Sequence, residues 1–167
     1  MLEILMVVSI TAVLMIVGIP TFEDFRQNQR MTASISLLHS QIVFARDQAI
    51  KLNSNVVACP GDLQSGCSQT NNWTGGWIIF SDLNNDQQFS ALESLYRYEP
   101  ALENIVVLGN SGRKQINFYG NGSAPGSNGS ITFCDQRGPT KARKLVISNI
   151  GRIRRDQAHD MNILNCP

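Results

Sequence analysis

The residues with the clearest chemical potential are basic and lie late in the chain. Residues 113–167 hold nine Lys and Arg against three Asp and Glu, whereas residues 1–112 hold five against ten. A net charge of +1 therefore hides a division into +6 and −5. Such asymmetry points to a face that meets a polyanion. The tightest cluster is Arg152, Arg154 and Arg155 after Gly151, with Lys141, Arg143 and Lys144 a few residues earlier. Guanidinium forks bind phosphate oxygens bidentately, and a group of them suits a nucleic-acid backbone regardless of base sequence. If Gly151 turns a hairpin, Arg152 and Arg154 share a strand face about 6.6 Å apart, and Ile153 points to the core. Arg113, Lys114 and Arg137 are weaker members of the same set. The competing reading is a solvated charged surface.

Other chemistry is less well supported. Trp73 and Trp77 could stack on single-stranded bases, but beside Gly75 and Gly76 they read as core or turn residues. Asp82, Asn84, Asp86, Gln88, Ser90 and Glu93 occupy positions 1, 3, 5, 7, 9 and 12 of an EF-hand-like template. Gln87 stands where that loop usually needs glycine, and a strand-like run precedes it, so an Asn/Asp turn without metal is expected. The four cysteines, Cys59, Cys67, Cys134 and Cys166, form no Cys-x-x-Cys pair, and with two histidines, His39 and His159, zinc is not indicated. Both histidines read as surface or core-edge residues. Two disulfides in an oxidising compartment fit better. Cys59–Cys67 and Cys134–Cys166 is the favoured pairing of the three possible. No Ser/His/Asp or Cys/His arrangement is visible, so neither an enzyme nor a cofactor is expected.

The elements that must carry these groups follow from hydrophobic pattern. Ile4 to Ile19 contains no charged residue, and only Ser9 and Thr11 are polar. With Leu2 and Met1 the run approaches the roughly 20 residues of a membrane span. No basic residue precedes it and no A-x-A-like site follows Ile19, so retention as an anchor is expected rather than cleavage. Glu3 is a carboxylate at the edge of this run, either solvated or paired with a cation of a neighbouring subunit. Pro20 is expected to kink or interrupt the helix. Beyond it Phe22, Phe25, Met31, Ile35, Leu38, Ile42, Ala45, Ala49 and Leu52 recur at mostly three- and four-residue steps, the stripe of an amphipathic helix.

After Asn53 short β-rich runs alternate with Gly, Asn, Ser and Pro clusters. Strands are expected at 56–59, 77–81, 95–98, 105–108, 115–119, 130–134, 144–148 and 151–154. One long helix followed by antiparallel strands is an α+β layout. It divides into a helical segment, 1–53, and a β-rich globular domain, 54–167.

Three stretches then resemble the minor pilins and pseudopilins of the GspH/FimT type. LEILMVVSITAVLMIVGIP, with Glu3 and Pro20, looks like the type IV pilin helix. CPGDLQSGCSQTNNWTGGWIIFSDLNNDQQFSALESLYRY looks like the family's central cysteine, tryptophan and Asp-x-Asn stretch. ITFCDQRG, LVISNIGRIR and Cys166 look like its C-terminal strands. The resemblance implies a type IV pilin-like fold, with the helix packed on an antiparallel sheet. It implies a single-pass subunit held in the inner membrane with its domain in the periplasm, then assembled through its helix into an extracellular pilus. In that setting Glu3 would neutralise the terminal amine of an adjacent subunit. The family's basic leader, ending in Gly before Phe-Thr-x-x-Glu, has no counterpart among these 167 residues, which start two residues before Glu3. FimT-type members are associated with DNA uptake in natural transformation. Their Gly-Arg-x-Arg motif, linked with DNA binding, is matched by Gly151, Arg152, Ile153 and Arg154. The partners so implied are DNA, other pilin subunits and the inner membrane. A structural minor pilin or secretion pseudopilin that primes or caps a filament, and an adhesin subunit, are the alternatives.

Overall fold

The computed structural model describes residues 2–110, 112–158 and 166; the side chains at 13, 14 and 16–21 lie outside the description, as does His159. Helix α1 (Leu2–Leu52) is continuous through Pro20, so the expected interruption does not occur. A proline within a helix forfeits one backbone hydrogen bond, and the helix runs on beyond it. Among the described residues, the buried ones of α1 all lie in its second half. Met31, Ile35, Leu38, Ile42, Ala45 and Ala49 are buried at alternating four- and three-residue steps. Phe22 and Phe25, placed on the same stripe by periodicity, are 61% and 57% exposed, and Leu52 is 51% exposed. The sheets end before they reach the two phenylalanines, and Leu52 is the last helical residue. Among the described residues no helix is long and apolar enough to cross a membrane.

Two antiparallel sheets cover the helix. The first contains β1 (Val56–Asp62), β2 (Gly66–Cys67), β3 (Gly76–Ser81), β4 (Leu95–Pro100) and β6 (Ile116–Phe118). Its order is β2-β1-β3-β4, with β6 paired to β1. The second contains β5 (Val106–Gly109), β7 (Gly129–Cys134), β8 (Arg143–Ile147) and β9 (Ile153–Gln157), in that order. The side-chain period of two sorts each strand. Val56, Ala58, Trp77 and Ile79 join the helix stripe in the main core, with Phe118, Phe133, Leu145 and Ile147. Their alternate neighbours Val57, Cys59, Ile78 and Phe80 form a second cluster with Cys67, capped by Phe89. Burial on both sides explains why β1 and β3 read as unbroken apolar runs rather than alternating ones.

Disulfides join Cys59 to Cys67 and Cys134 to Cys166, with Cα separations of 5.6 and 5.5 Å. Both tryptophans are core residues. Trp77 Nε1 donates to Gln41 Oε1 of α1 at 2.6 Å, and Trp73 stacks obliquely on Trp77 at 6.5 Å. Neither ring is available to a base, because both are 1% exposed or less.

Candidate nucleic-acid interface

The late basic residues sit on and around the hairpin of β8 and β9. Its turn follows from sequence. Gly151 donates to Ser148 O at 2.9 Å and takes φ +75°, a conformation that glycine adopts without strain. Ser148 N then donates to Arg152 O at 3.0 Å, while Arg152 N donates to Ser148 Oγ at 3.1 Å. This is a three-residue hairpin loop closed by a glycine bulge. The strand expected from Gly151 therefore begins at Ile153 and runs on to Gln157.

The tip is also docked. Ala124 N donates to Asn149 O at 2.8 Å, and Arg46 of α1 donates through Nε to Gly122 O at 2.9 Å. A Cβ on Gly151 would collide with that same Gly122 carbonyl. The polar glycine-rich loop 120–128 thus acts as a brace between helix and hairpin. Arg113 supports the loop in turn, donating to Gly126 O and, at 2.8 Å, to Asn128 Oδ1.

Strand register decides which cations share a surface. Val146 pairs with Arg154 and Lys144 with Asp156, and the Ser148–Arg152 hydrogen bond carries the same register one step further. Arg152, Arg154 and Lys144 therefore have one parity, directed away from α1. Arg152 is exposed, and the Arg154 side chain is 59% exposed. Arg155 and Arg143 have the opposite parity. Arg143 Nη1 donates to Thr32 Oγ1 of α1 at 2.9 Å, and both arginines border a groove with Thr32 and Ile35. Burial first, then the charge of Arg155, holds the His39 imidazole below its ordinary pKa. Lys141 ends a 3-10 turn, Pro139–Lys141, and lies exposed beside β8. The six candidate cations accordingly do not form one patch: the pleat divides them, with Lys141 at the end of the hairpin opposite Arg152.

Two features were not visible in the spacing of basic residues. Asp156 lies on the outward face, 3.9 Å from Arg154 and across from Lys144. An exposed pair of this kind contributes little to stability, but it lowers the local positive potential. Arg137 is fully engaged elsewhere. It binds Asp135 through Nη2 at 2.6 Å and Nε at 3.0 Å, and reaches Asn28 of α1 at 2.9 Å. Burial alone would raise the Asp135 carboxyl; hydrogen bonds from Arg137 and its charge outweigh that and hold it below the usual range. Lys114 is exposed, outside the hairpin. Glu3 lies exposed in the first turn of α1 among Leu2, Ile4, Leu5 and Met6, which are 62–75% exposed.

A long helical spine, the second half of which carries two antiparallel sheets, defines a class. The fold is that of type IV pilin-like subunits. It matches crystal structures of the Pseudomonas aeruginosa type IV minor pilin FimU in two crystal forms. One has a TM-score of 0.63 at 20% identity, covering 81% of this chain and 95% of that one. The other has a TM-score of 0.60 at 18% identity, covering 77% and 94%. No curated protein matches. The model of the family described as "Type II transport protein GspH" matches residues 34–151, and the chain belongs to that family. The match ends at Gly151, so Arg152, Arg154 and Arg155 lie outside it. Family and fold together make the chain a subunit of the minor pilin and pseudopilin kind.

Proposed function

We propose that this chain is a minor pilin that captures DNA through the β8–β9 hairpin, without sequence preference, for uptake in natural transformation. The observation that carries the reading is the placement of Arg152 and Arg154. Both are exposed, share a strand parity and stand next to a turn fixed by Gly151 and the loop beneath it. A fixed backbone presents both guanidinium forks to phosphate oxygens from one side. Lys144 extends the same face. Arg143, Arg155 and Lys141 act from the groove side and the hairpin's far end, where a duplex wrapped over the edge strand would meet them. Glu3 acts in assembly: a carboxylate in an apolar bundle requires a counter-charge, and the terminal amine of an adjacent subunit supplies one. The subunit is held in the inner membrane by α1, with its domain in the periplasm, before it enters the pilus.

A second reading rests on Asp156. A carboxylate set between Arg154 and Lys144 suits a protein-facing surface as well as a DNA-facing one. A minor pilin or secretion pseudopilin that primes or caps a filament would use the hairpin that way. Fluorescence anisotropy of a labelled duplex with the full chain in non-ionic detergent separates the two. The DNA reading expects a dissociation constant of roughly 10⁻⁴–10⁻⁶ M, independent of sequence, and much weaker binding by Arg152→Gln/Arg154→Gln. Equal binding by both proteins removes the hairpin from the account, and no binding by either favours the structural subunit.

A further inference from the structure

We infer that the loop joining β3 to β4 is a calcium-binding site formed by Asp82, Asp86 and Glu93. One carboxylate oxygen from each lies within 4.8 Å of the others. Two oxygens on opposite sides of one Ca²⁺ are about 4.6–5.2 Å apart, from coordination distances of 2.3–2.6 Å, so the three can close on a single ion. They are the residues at positions 1, 5 and 12 of the template seen in the sequence.

A second observation concerns Asp82, which is only 4% exposed. Its Oδ1 is buried and has no hydrogen-bond partner. Native proteins rarely leave such an atom unsatisfied. The other members are already held in place. Glu93 accepts from Leu83 N at 3.2 Å and Ser90 N at 2.9 Å. Asp86 accepts from Gln88 N and from Asn84 Nδ2, both at 2.8 Å. Asp82 is thus the donor with capacity left over, and it belongs to the same cluster. Burial pushes its carboxyl above the ordinary pKa, and Glu93 and Asp86 push it further, while the backbone N–H groups of Gln87 and Asn85 oppose the shift.

Gln87 takes φ +63°, the left-handed conformation for which an EF-hand uses glycine. The flanking elements are strands, so the site is a hairpin loop rather than a helix–loop–helix unit. Oxygen-only donors select a hard cation, and a spacing of up to 4.8 Å between ligand oxygens suits Ca²⁺ better than Mg²⁺, whose bonds of 2.0–2.1 Å demand a tighter octahedron. An ion here would fix the loop that carries Phe89, whose ring packs on Phe80 at 5.3 Å and caps the cluster containing Cys59 and Cys67.

Calorimetric titration of CaCl₂ into the chelator-stripped full chain in non-ionic detergent tests this, with thermal melts in parallel. A single-site heat is expected, with a dissociation constant of about 10⁻⁴–10⁻³ M as in extracellular calcium modules, and the melting temperature rises with calcium. Asp82→Asn should abolish both responses. Asp86→Asn, at an exposed position, should weaken the response and keeps the test decisive if the first variant misfolds. Absence of heat and of any melting shift up to roughly 10 mM calcium, an equal response to Mg²⁺, or unchanged responses in both variants would overturn the assignment.

Discussion

Replacing Gly151 with alanine tests whether the hairpin tip is held in one place. Two costs apply. A left-handed conformation disfavours a residue with a Cβ by about 1–2 kcal/mol. The new methyl also meets the Gly122 carbonyl, which is fixed by Arg46. Relief requires loop 120–128 to move off the tip, loosening the Ala124–Asn149 and Arg46–Gly122 hydrogen bonds, each worth about 1 kcal/mol. The total is about 2–4 kcal/mol, which for a chain of this size lowers the melting temperature by roughly 4–16 °C. Gly126 provides the control. It has a similar φ, +75°, but an added Cβ meets nothing within 4 Å, so Gly126→Ala should show the conformational cost alone. Thermal unfolding followed by circular dichroism on both variants gives the comparison. Equal losses for the two, or no loss for Gly151→Ala, would refute the docking of the hairpin tip.

Two other predictions concern stability. Arg137→Met strands the buried Asp135 carboxylate and should cost about 3–5 kcal/mol at neutral pH. In the native chain the lowered Asp135 pKa contributes stability above the ordinary carboxylate value of about 3.9, and that contribution is lost as pH falls through the folded value; urea unfolding between pH 2 and 7 should show this acid-side slope flattened or reversed in the variant. Removing Cys134–Cys166, which spans 32 residues, should cost about 3.7 kcal/mol, against about 2.5 kcal/mol for Cys59–Cys67, which spans 8, when paired Cys→Ala variants are compared by urea unfolding.

How much of this could be read from the chain depended on whether a pattern is local. Met31, Ile35, Leu38, Ile42, Ala45 and Ala49 announce a buried helical face by spacing alone. Phe22 and Phe25 keep the same spacing yet stand exposed, because periodicity cannot show how far along the helix the sheets reach. Short strands with turn residues at both ends were legible, but two-residue β2 was not, since nothing in the polar Gly61–Cys67 stretch distinguishes pairing from loop. At the candidate site, Gly151 marked the turn correctly. Its φ shifted the following strand to Ile153, and the register then sent Arg143 and Arg155 toward α1 and Lys144 and Arg154 away from it. A count of basic residues ignores that parity and overlooks Asp156, whose position opposite Lys144 exists only once β8 and β9 are paired. The carboxylates of the β3–β4 loop show the reverse. Their spacing suggested a metal loop, the missing glycine and the flanking strand argued against it, and only the backbone at Gln87 and the unpartnered Asp82 oxygen reopened the question.

The central claim, that Arg152 and Arg154 grip phosphates, is tested most directly by the salt dependence of duplex binding for the full chain and for Arg152→Gln/Arg154→Gln. Each neutralised phosphate adds about −0.9 to the slope of log affinity against log salt. The account predicts that the variant loses about 1.8 from the magnitude of the slope, along with most of its affinity. Identical slopes for the two proteins would contradict it.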